Sequence, residues 1–453
     1  MALTETAQSF PEGVPESLAA QPARTLARVS TGHQISINIF WFANNVLWTA
    51  LLFIVLPSQI ERLLGEQNKA LNTLLVLSGG TILAFIVNPL AGALSDYIPL
   101  KLGRRRPLML AGAALNVLAL LALAFTPDIR QLPSLAVLLM ALFFLLTQFS
   151  NNVANAPWSA IIADTVPPEQ RGSASGWYGV AVFTGTIVGA GLAGAIVHTD
   201  VPLAAYRQEL LVMYLIIIAF LVLAVAATFL FVKETPLPRR VPIVWSRFFA
   251  QFKLSPRKQS DFIWVLLTRL LIMMGIWAIG FFLLYYYQDV VQVQKIGIDP
   301  SSAVLYFLVL VMFSAAFTSL IGGKLSDRYG RKLMVYIAGG LMTVVALVFI
   351  FFQSFPGSLI AAACYGIGYG AYTSVDWALV TDVLPSAEQY GKDMGLWSAM
   401  GIVPQVFGII AGAAVLSFFQ SFPNHFGYTV LFSLTVLFFL LGTVLIRQVK
   451  GVR

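Results

Sequence analysis

"GKLSDRYGRKLM", from Gly323 to Met334, repeats a stretch from the first half of this chain. The earlier copy, "GALSDYIPLKLGRRRPLM", runs from Gly92 to Met109. Both copies place Gly-x-Leu-Ser-Asp at the end of an apolar run and continue into a cluster of basic residues. The repetition indicates that the chain contains two related parts.

A second pair of matching stretches supports the duplication. "WSAIIADTVPPEQRGSASGWYG" begins at Trp158, and "WALVTDVLPSAEQYGKDMGLWS" begins at Trp377. Each contains a Trp, an Asp, a Pro, the pattern Glu-Gln-x-Gly and a second Trp in the same order. Two matched pairs at matched positions predict a six-plus-six bundle of helices, an arrangement in which transporters place the substrate between the repeats.

Hydropathy predicts an all-α membrane protein. The 453 residues are 58% hydrophobic and 11% charged, whereas a soluble domain has about a quarter of charged residues. Apolar segments of about 20 residues suffice to cross a bilayer as helices. We predict twelve such segments, at residues 36–58, 72–94, 107–126, 134–163, 174–198, 210–232, 262–288, 302–324, 333–353, 357–383, 393–418 and 428–447.

These segments define five predicted regions of the chain. Residues 1–34 are rich in Pro, Ser and Glu and are expected to be a disordered tail. A basic linker at 234–261 separates an amino-terminal six-helix bundle (35–233) from a carboxyl-terminal one (262–448), and residues 449–453 form a second tail.

The basic residues are distributed asymmetrically along the chain. The two ends and the loops after even-numbered segments carry 22 Lys and Arg residues, and the loops after odd-numbered segments carry five. The positive-inside rule therefore predicts a multi-pass protein of the cell membrane with both termini in the cytoplasm. This distribution also accounts for the net charge of +8 without a nucleic-acid partner.

The motif "GKLSDRYGRK" resembles the cytoplasmic loop signature of the major facilitator superfamily. The copy in the first half departs from the signature, because it has three extra residues before Gly103 and a Tyr at position 97. This longer form, together with "APWSAIIADTVPPEQRGSASG", is similar to the glycoside/cation symporters and the sucrose-type proton symporters. The resemblance implies two pseudo-symmetric six-helix bundles that transport by alternating access, with segments one, four, seven and ten around a central cavity.

The two motifs also predict a cytoplasmic gate. Each places an Asp near Arg residues, and a guanidinium group can bind a carboxylate through two hydrogen bonds. The resemblance implies that these loops hold the cytoplasmic side closed, although isolated surface pairs contribute less than about 1 kcal/mol and the charges could simply be solvated. The predicted gate residues are Asp96, Arg104, Arg105, Asp164, Arg171, Asp327, Arg328, Arg331 and Asp382.

Polar and aromatic residues lie at helical spacing in the four segments that the resemblance places around the cavity. Amides can donate and accept hydrogen bonds, and aromatic rings cover the apolar face of a sugar. We therefore predict a substrate site, although Asn and Gln also join helices in membranes, at about 0.6 kcal/mol each. The predicted substrate residues are Asn38, Trp41, Asn45, Trp48, Gln148, Asn152, Asn155, Trp277, Tyr369, Tyr372 and Asp376.

Arg269 and Asp376 are the ionisable residues deepest in apolar sequence. Each lies about seven residues, or roughly 10 Å, from the predicted cytoplasmic end of its segment, so the two could pair. We expect Asp376 to be a protonation site or sugar ligand with Arg269 as its counter-charge. The alternative is a purely structural ion pair.

We therefore predict a secondary transporter of a small polar solute, with a saccharide as the favoured class. Since the middle of segments one to six contains no acid, proton coupling or uncoupled facilitation is favoured over sodium coupling. The alternatives are an exporter of drug-like amphiphiles and a non-transporting nutrient receptor. A receptor of this kind would carry its signal through a long cytoplasmic tail, and the predicted tail is short. The single cysteine, Cys364, and three dispersed histidines predict no metal site, and we expect no cofactor, no enzymatic activity and a monomer in the lipid bilayer.

Overall fold

A computed structural model describes residues 27–64, 69–98, 100, 102–126, 133–198, 201–232, 245–250, 252–385, 389–419 and 422–452. The predicted tail lies outside these residues up to position 26. The first part of the predicted linker, up to residue 244, also lies outside them.

Twelve long helices, labelled α1 to α12, make up most of the described chain. The helices of the amino half are α1 (Thr31–Ala50), α2 (Lys69–Ser95), α3 (Arg106–Ala124), α4 (Pro133–Ser159), α5 (Arg171–Ile196) and α6 (Leu203–Phe231). Those of the carboxyl half are α7 (Ser260–Tyr286), α8 (Pro300–Tyr329), α9 (Arg331–Phe351), α10 (Phe355–Asp382), α11 (Tyr390–Phe418) and α12 (Phe426–Leu445).

Shorter helical pieces extend or connect the long helices. A π-helical turn at Leu51–Val55 leads from α1 into a helix at Leu56–Leu64. Another π-helical turn, Tyr287–Val291, follows α7. Two further short helices, Ile161–Thr165 and Trp245–Ala250, follow α4 and precede α7.

The all-α prediction is confirmed, and each predicted segment corresponds to one long helix. Nine helices of the described chain are long and apolar enough to cross a membrane by length and composition. Helix α10 is not among them, because its many Gly, Tyr and Ser residues lower its mean hydropathy.

Some helix ends differ from the predicted segments for local reasons. Helix α4 ends at Ser159, four residues before the predicted end of segment four and two residues after Pro157, whose missing N–H weakens the last turns of the helix. The Ala160 amide instead donates to the Pro157 carbonyl at 3.2 Å. Helix α6 begins at Leu203 rather than 210, since charged residues in its first turns hide the start of the helix from a hydropathy criterion.

The amino half (α1–α6) and the carboxyl half (α7–α12) pack against each other through few helix pairs. Helix α2 packs on α11, and α5 packs on α8 and α10. One hydrogen bond between the halves joins Ser319 of α8 to the Gly176 carbonyl of α5 at 3.0 Å. Most of the others in the described chain lie near one side of the bundle, at the loops after α2, α4, α8 and α10. We call this side the basic face, since it carries the two arginine-rich motifs.

Candidate functional site

Arg105 organises the first motif at the basic face. Its guanidinium is fully buried and donates from Nη1 to Asp96 Oδ1 at 2.5 Å and from Nε to Asp164 Oδ2 at 3.0 Å. Arg104 donates to the other oxygen of Asp164. Two carboxylates from different loops of the amino half are therefore joined by one arginine.

Asp96 also reaches across to the carboxyl half. Its oxygens accept hydrogen bonds from the backbone amides of Gly391 at 3.0 Å and Lys392 at 3.1 Å, in the first turn of α11. The amino end of a helix carries a partial positive charge and free amides, so it stabilises a carboxylate. Burial raises the pKa of the Asp96 carboxyl, while the charge of Arg105 acts in the opposite direction.

The second motif makes the equivalent contacts with the roles of the two halves exchanged. Arg331 donates from Nη1 to Asp327 Oδ1 at 2.5 Å and from Nε to Asp382 Oδ2 at 3.0 Å. Asp327 accepts from the amides of Gly172 at 2.9 Å and Ser173 at 2.8 Å, in the first turn of α5. Each half thus places one aspartate on the amino end of a helix of the other half.

Two further predicted gate residues differ in their surroundings. Arg171 donates from Nη1 to Asp382 Oδ1 at 3.1 Å and to the Thr381 carbonyl at 2.8 Å, which adds a direct ion pair between the halves. Arg328 is exposed, and its guanidinium lies 5.4 Å from the ring centroid of Tyr329.

The glycines of the motifs have physical reasons of their own. Gly103 and Gly330 precede the arginine clusters with φ of 104° and 102°, a backbone conformation that residues with a Cβ rarely adopt. Gly92 and Gly391 pack so closely that a Cβ on either would overlap the backbone carbonyl of the other. The contact between α2 and α11 therefore requires glycine on both sides.

A buried ion pair lies deeper in the carboxyl half. Arg269 of α7 donates to Asp376 of α10, and the Tyr372 hydroxyl donates to the other oxygen of Asp376 at 3.0 Å. Asp376 is 2% exposed and Arg269 is 8% exposed. The guanidinium carbon of Arg269 also lies 3.7 Å from the ring centroid of Trp397, which is a cation–π geometry.

Aromatic rings from both halves meet beside this ion pair. The Trp377 ring lies 5.1 Å from Trp41, 4.3 Å from Tyr178 and 4.9 Å from Trp397, measured between centroids. Trp377 follows Asp376 directly in α10, so adjacent residues of one helix connect the ion pair to the cluster. We call Trp41, Tyr178, Trp377 and Trp397 the aromatic cluster.

Several polar atoms in the helices that carry the ion pair and the aromatic cluster are buried without a hydrogen-bond partner in the described part of the chain. The indole N–H groups of Trp377 and Trp397 are two of them. Such groups normally have partners, and a bound solute or water can supply them. Further atoms of this kind belong to Asn155, Arg269, Tyr365, Thr373 and Ser398.

The repeat shows that the Trp377 indole differs from its counterpart. Trp158, at the matching position of the amino half, stacks on Phe40 with centroids 3.8 Å apart and donates from Nε1 to the Ile37 carbonyl at 2.9 Å. Trp158 is therefore satisfied within its own half, whereas Trp377 has no acceptor among the residues that the structure describes.

Two of the predicted amide residues are buried and bonded within the amino half. Asn38 donates to the carbonyls of Gln34 and Ala174, each at 2.9 Å, and so joins α1 to α5. Asn152 accepts from Asn88 at 2.8 Å and donates to the Gln148 carbonyl at 2.8 Å. These two asparagines use hydrogen bonds to hold helices together.

The remaining predicted residues are less enclosed. Asn45 is half-buried and donates to the Trp41 carbonyl at 2.8 Å, and Trp48 donates to Asn151 at 3.1 Å. Trp277 stacks on Phe281, its neighbour one turn along α7, with centroids 5.2 Å apart. The other half-buried predicted residues are Gln148, Asn155 and Tyr369, of which Tyr369 lies edge-on to Phe183 at 5.1 Å across the two halves.

Three members of the aromatic cluster were not among the predicted substrate residues. Trp377 and Trp397 are the two tryptophans of the repeated motif, so the repeat contained a signal for them. Tyr178 follows Trp177 of the first copy, and only the packing of α5 against α10 brings it to Trp377.

Comparisons with known proteins identify the family. The family model described as MFS/sugar transport protein matches residues 45–447. The multi-drug resistance efflux pump PmrA of Streptococcus pneumoniae is 27% identical over 411 residues, which cover 89% of this chain and 92% of PmrA. The general alpha-glucoside permease of Schizosaccharomyces pombe is 27% identical over 174 residues, or 37% of this chain and 31% of the permease.

The fold has a close counterpart among solved structures. A bacterial homologue of the iron transporter ferroportin, in an outward-facing state, superposes with a TM-score of 0.68 at 15% identity and covers 93% of this chain and 99% of that one. The resemblance that the loop motifs indicated is thereby confirmed. Because the family model extends over most of the chain, this protein belongs to the MFS/sugar transport protein family and is a multi-pass membrane transporter of the major facilitator superfamily, not an enzyme.

Proposed function

We propose that this transporter moves a saccharide by alternating access and couples the movement to protons through Asp376 and Arg269. The observation that carries the proposal is the buried ion pair beside the aromatic cluster, in the layer where the two halves meet. A charge pair there can respond to a proton and to a solute together.

The ion pair supplies a route for coupling. A buried carboxylate next to a guanidinium is stable as a pair, whereas removing the charge of one partner leaves the other uncompensated. Protonation of Asp376 would free Arg269 to donate to solute oxygens. Release of the proton would restore the pair and expel the solute.

The surroundings support a hydroxylated solute. The indole N–H groups of Trp377 and Trp397 have no acceptor among the described residues and can donate to hydroxyl oxygens. The rings of the aromatic cluster can cover the C–H face of a pyranose. Half-buried Asn45, Gln148 and Asn155 add amides from the amino half. The relationship to an alpha-glucoside permease points to the same class of solute.

We further propose that the basic face is cytoplasmic, which places both termini inside the cell. Its positive loops support this orientation by the positive-inside rule. The ion pairs and helix-end contacts of Asp96 and Asp327 close that face, so a site between the halves would open to the other side of the membrane.

Transport by purified protein in proteoliposomes tests the proposal. We expect maltose or another alpha-glucoside to accumulate when an inward proton gradient is imposed, and accumulation to collapse when a protonophore is added. Empty liposomes are the control. Absence of gradient-driven movement for every saccharide tested would contradict the sugar assignment.

A second candidate is proton-driven export of drug-like amphiphiles. It is favoured by the relationship to PmrA, which extends over 92% of that efflux pump. The aromatic cluster could cover a flat apolar ring as well as a sugar face. Ethidium extrusion from the same proteoliposomes, without saccharide accumulation, would favour this candidate.

Replacing Trp377 by Phe tests whether its indole N–H contacts the solute. Trp377→Phe keeps an aromatic ring but removes the donor, and a lost hydrogen bond of about 1 kcal/mol raises the KM for transport about fivefold. Trp158→Phe is the matched control, because Trp158 donates to Ile37 within its own half. We expect Trp158→Phe to lower the melting temperature and leave KM unchanged; equal KM values for both variants and the wild type would exclude the contact.

A further inference from the structure

Arg106 differs from the other two arginines of the first motif in its contacts. Arg104 and Arg105 both pair with Asp164. Arg106 forms no ion pair with the described residues, and its Nε and one terminal nitrogen are buried without a hydrogen-bond partner there. Arg106 as a whole is half-buried, but leaving these two buried nitrogens without an acceptor is costly, so an acceptor from outside the described chain is expected at this position.

Arg106 lies at the end of an apolar groove. Its guanidinium carbon is 4.9 Å from the ring centroid of Phe229, and Phe229 lines a cavity of about 430 Å³ between α3 and α6. The lining is entirely apolar and includes the small residues Ala113, Ala114 and Ala226, which leave room between the two helices.

The groove opens on the outer surface of the bundle. Ala114, Ala226 and Leu230 in its lining are exposed. Since α3 and α6 are both apolar enough to cross a membrane, we expect this surface to face acyl chains. Phe229 lies near the end of α6 at Phe231, so the Arg106 cation stands at the end of the span, where lipid headgroups lie.

We propose that this groove binds an anionic phospholipid, with an acyl chain between α3 and α6 and the headgroup phosphate on Arg106. A phosphate oxygen accepts hydrogen bonds from a guanidinium in two-point geometry. The amino end of α3 begins at Arg106 without a side-chain cap, and its partial positive charge favours the same anion.

A second apolar groove supplies a comparison within the same protein. It has a volume of about 230 Å³, lies between α9 and α10 and is lined by apolar residues with Ser354, without a charged side chain. Both grooves can accept an acyl chain, but only the α3–α6 groove joins a chain-sized space to an unpaired cation among the described residues. Arg106 should therefore give the α3–α6 groove a preference for anionic headgroups that the α9–α10 groove does not have.

Native mass spectrometry of the delipidated full-length protein tests this proposal. Phosphatidylglycerol and phosphatidylcholine with identical acyl chains are titrated into wild type, Arg106→Gln and Arg328→Gln. We expect wild type to retain phosphatidylglycerol at least fivefold better than phosphatidylcholine, and Arg106→Gln to lose this preference. Arg328→Gln is the control, because Arg328 is an exposed arginine of the second motif, and it should behave like wild type.

A groove-filling variant separates the acyl chain from the charge. Ala226→Phe keeps Arg106 and blocks the space, so it should also lower phosphatidylglycerol retention at least fivefold. Wild-type retention in both Arg106→Gln and Ala226→Phe would overturn the proposal. Full competition by inorganic phosphate would also overturn it, since the site would then bind free phosphate rather than a lipid.

Discussion

Asp376→Asn is expected to abolish solute movement driven by a proton gradient. The amide cannot take up and release a proton at physiological pH, and it cannot balance the charge of Arg269. The measurement is solute accumulation in proteoliposomes with an imposed pH gradient. Exchange of labelled for unlabelled solute at equal pH is measured in parallel, because exchange needs no net proton movement and should retain a larger share of its wild-type rate.

The same variant should be less stable. Removing one partner of a buried ion pair leaves the other charge uncompensated, which typically costs about 3–5 kcal/mol. The double variant Arg269→Gln with Asp376→Asn removes both charges and should recover most of the lost melting temperature without recovering coupling. This pattern separates a coupling role from a structural one.

A control comes from the π-helical turn that follows α7. Asp289 accepts a hydrogen bond from the Tyr428 hydroxyl at 2.5 Å and lies outside the Arg269 pair. Asp289→Asn should therefore keep gradient-driven accumulation. Undiminished accumulation by Asp376→Asn would show that the Arg269–Asp376 pair is purely structural.

Gly391→Ala is expected to open the basic face. A Cβ at this position would overlap the Gly92 carbonyl and the Arg105 guanidinium, and a backbone carbonyl cannot move aside as a side-chain end can. Overpacking of this kind typically costs about 1–3 kcal/mol, which shifts a two-state equilibrium by about five- to 150-fold. The conformer with the closed basic face should lose population accordingly.

Cysteine labelling measures this shift. Thr381 is buried at the basic face, and Thr381→Cys in a Cys364→Ser background gives a single reporter thiol. We expect a membrane-impermeant maleimide to label it at least about tenfold faster in Gly391→Ala, with a comparable loss of transport.

A second glycine provides the control for adding a methyl group. Gly340 lies inside α9, and a Cβ there would have no heavy atom within 4 Å. Gly340→Ala should leave both labelling and transport near wild type. Equal labelling rates in Gly391→Ala and Gly340→Ala would mean that the α2–α11 contact does not hold the face closed.

The twelve helices could be predicted because hydropathy is a local property of the sequence. A run of apolar residues long enough to cross a bilayer must satisfy its backbone hydrogen bonds within itself, and a helix does so. The repeat then indicated two related halves. The helix ends were less predictable at α6, where charged residues belong to the first turns, and at α4, which ends two residues after Pro157 although the apolar run continues.

The site residues were less accessible to sequence reasoning. Spacing placed Asn38 on one face with Trp41 and Asn45, but its amide bonds Ala174 of α5. Spacing along one helix cannot tell which neighbour a side chain meets. For the same reason Tyr178 gave no signal, since its contact with Trp377 depends on how α5 packs against α10.

The sequence by itself determined the apolar spans, the duplication and the positions of charge at the ends of helices, because each depends on residues close together in the chain. Tertiary structure decided which carboxylate meets which arginine and that Asp96 and Asp327 each bind the first turn of a helix in the opposite half. It also decided that Trp377, unlike Trp158, has no acceptor within the described part of the chain. These are contacts between distant residues. A hydrogen bond or a ring contact depends on distances of a few ångströms between helices, and only the packing of the helices sets those distances.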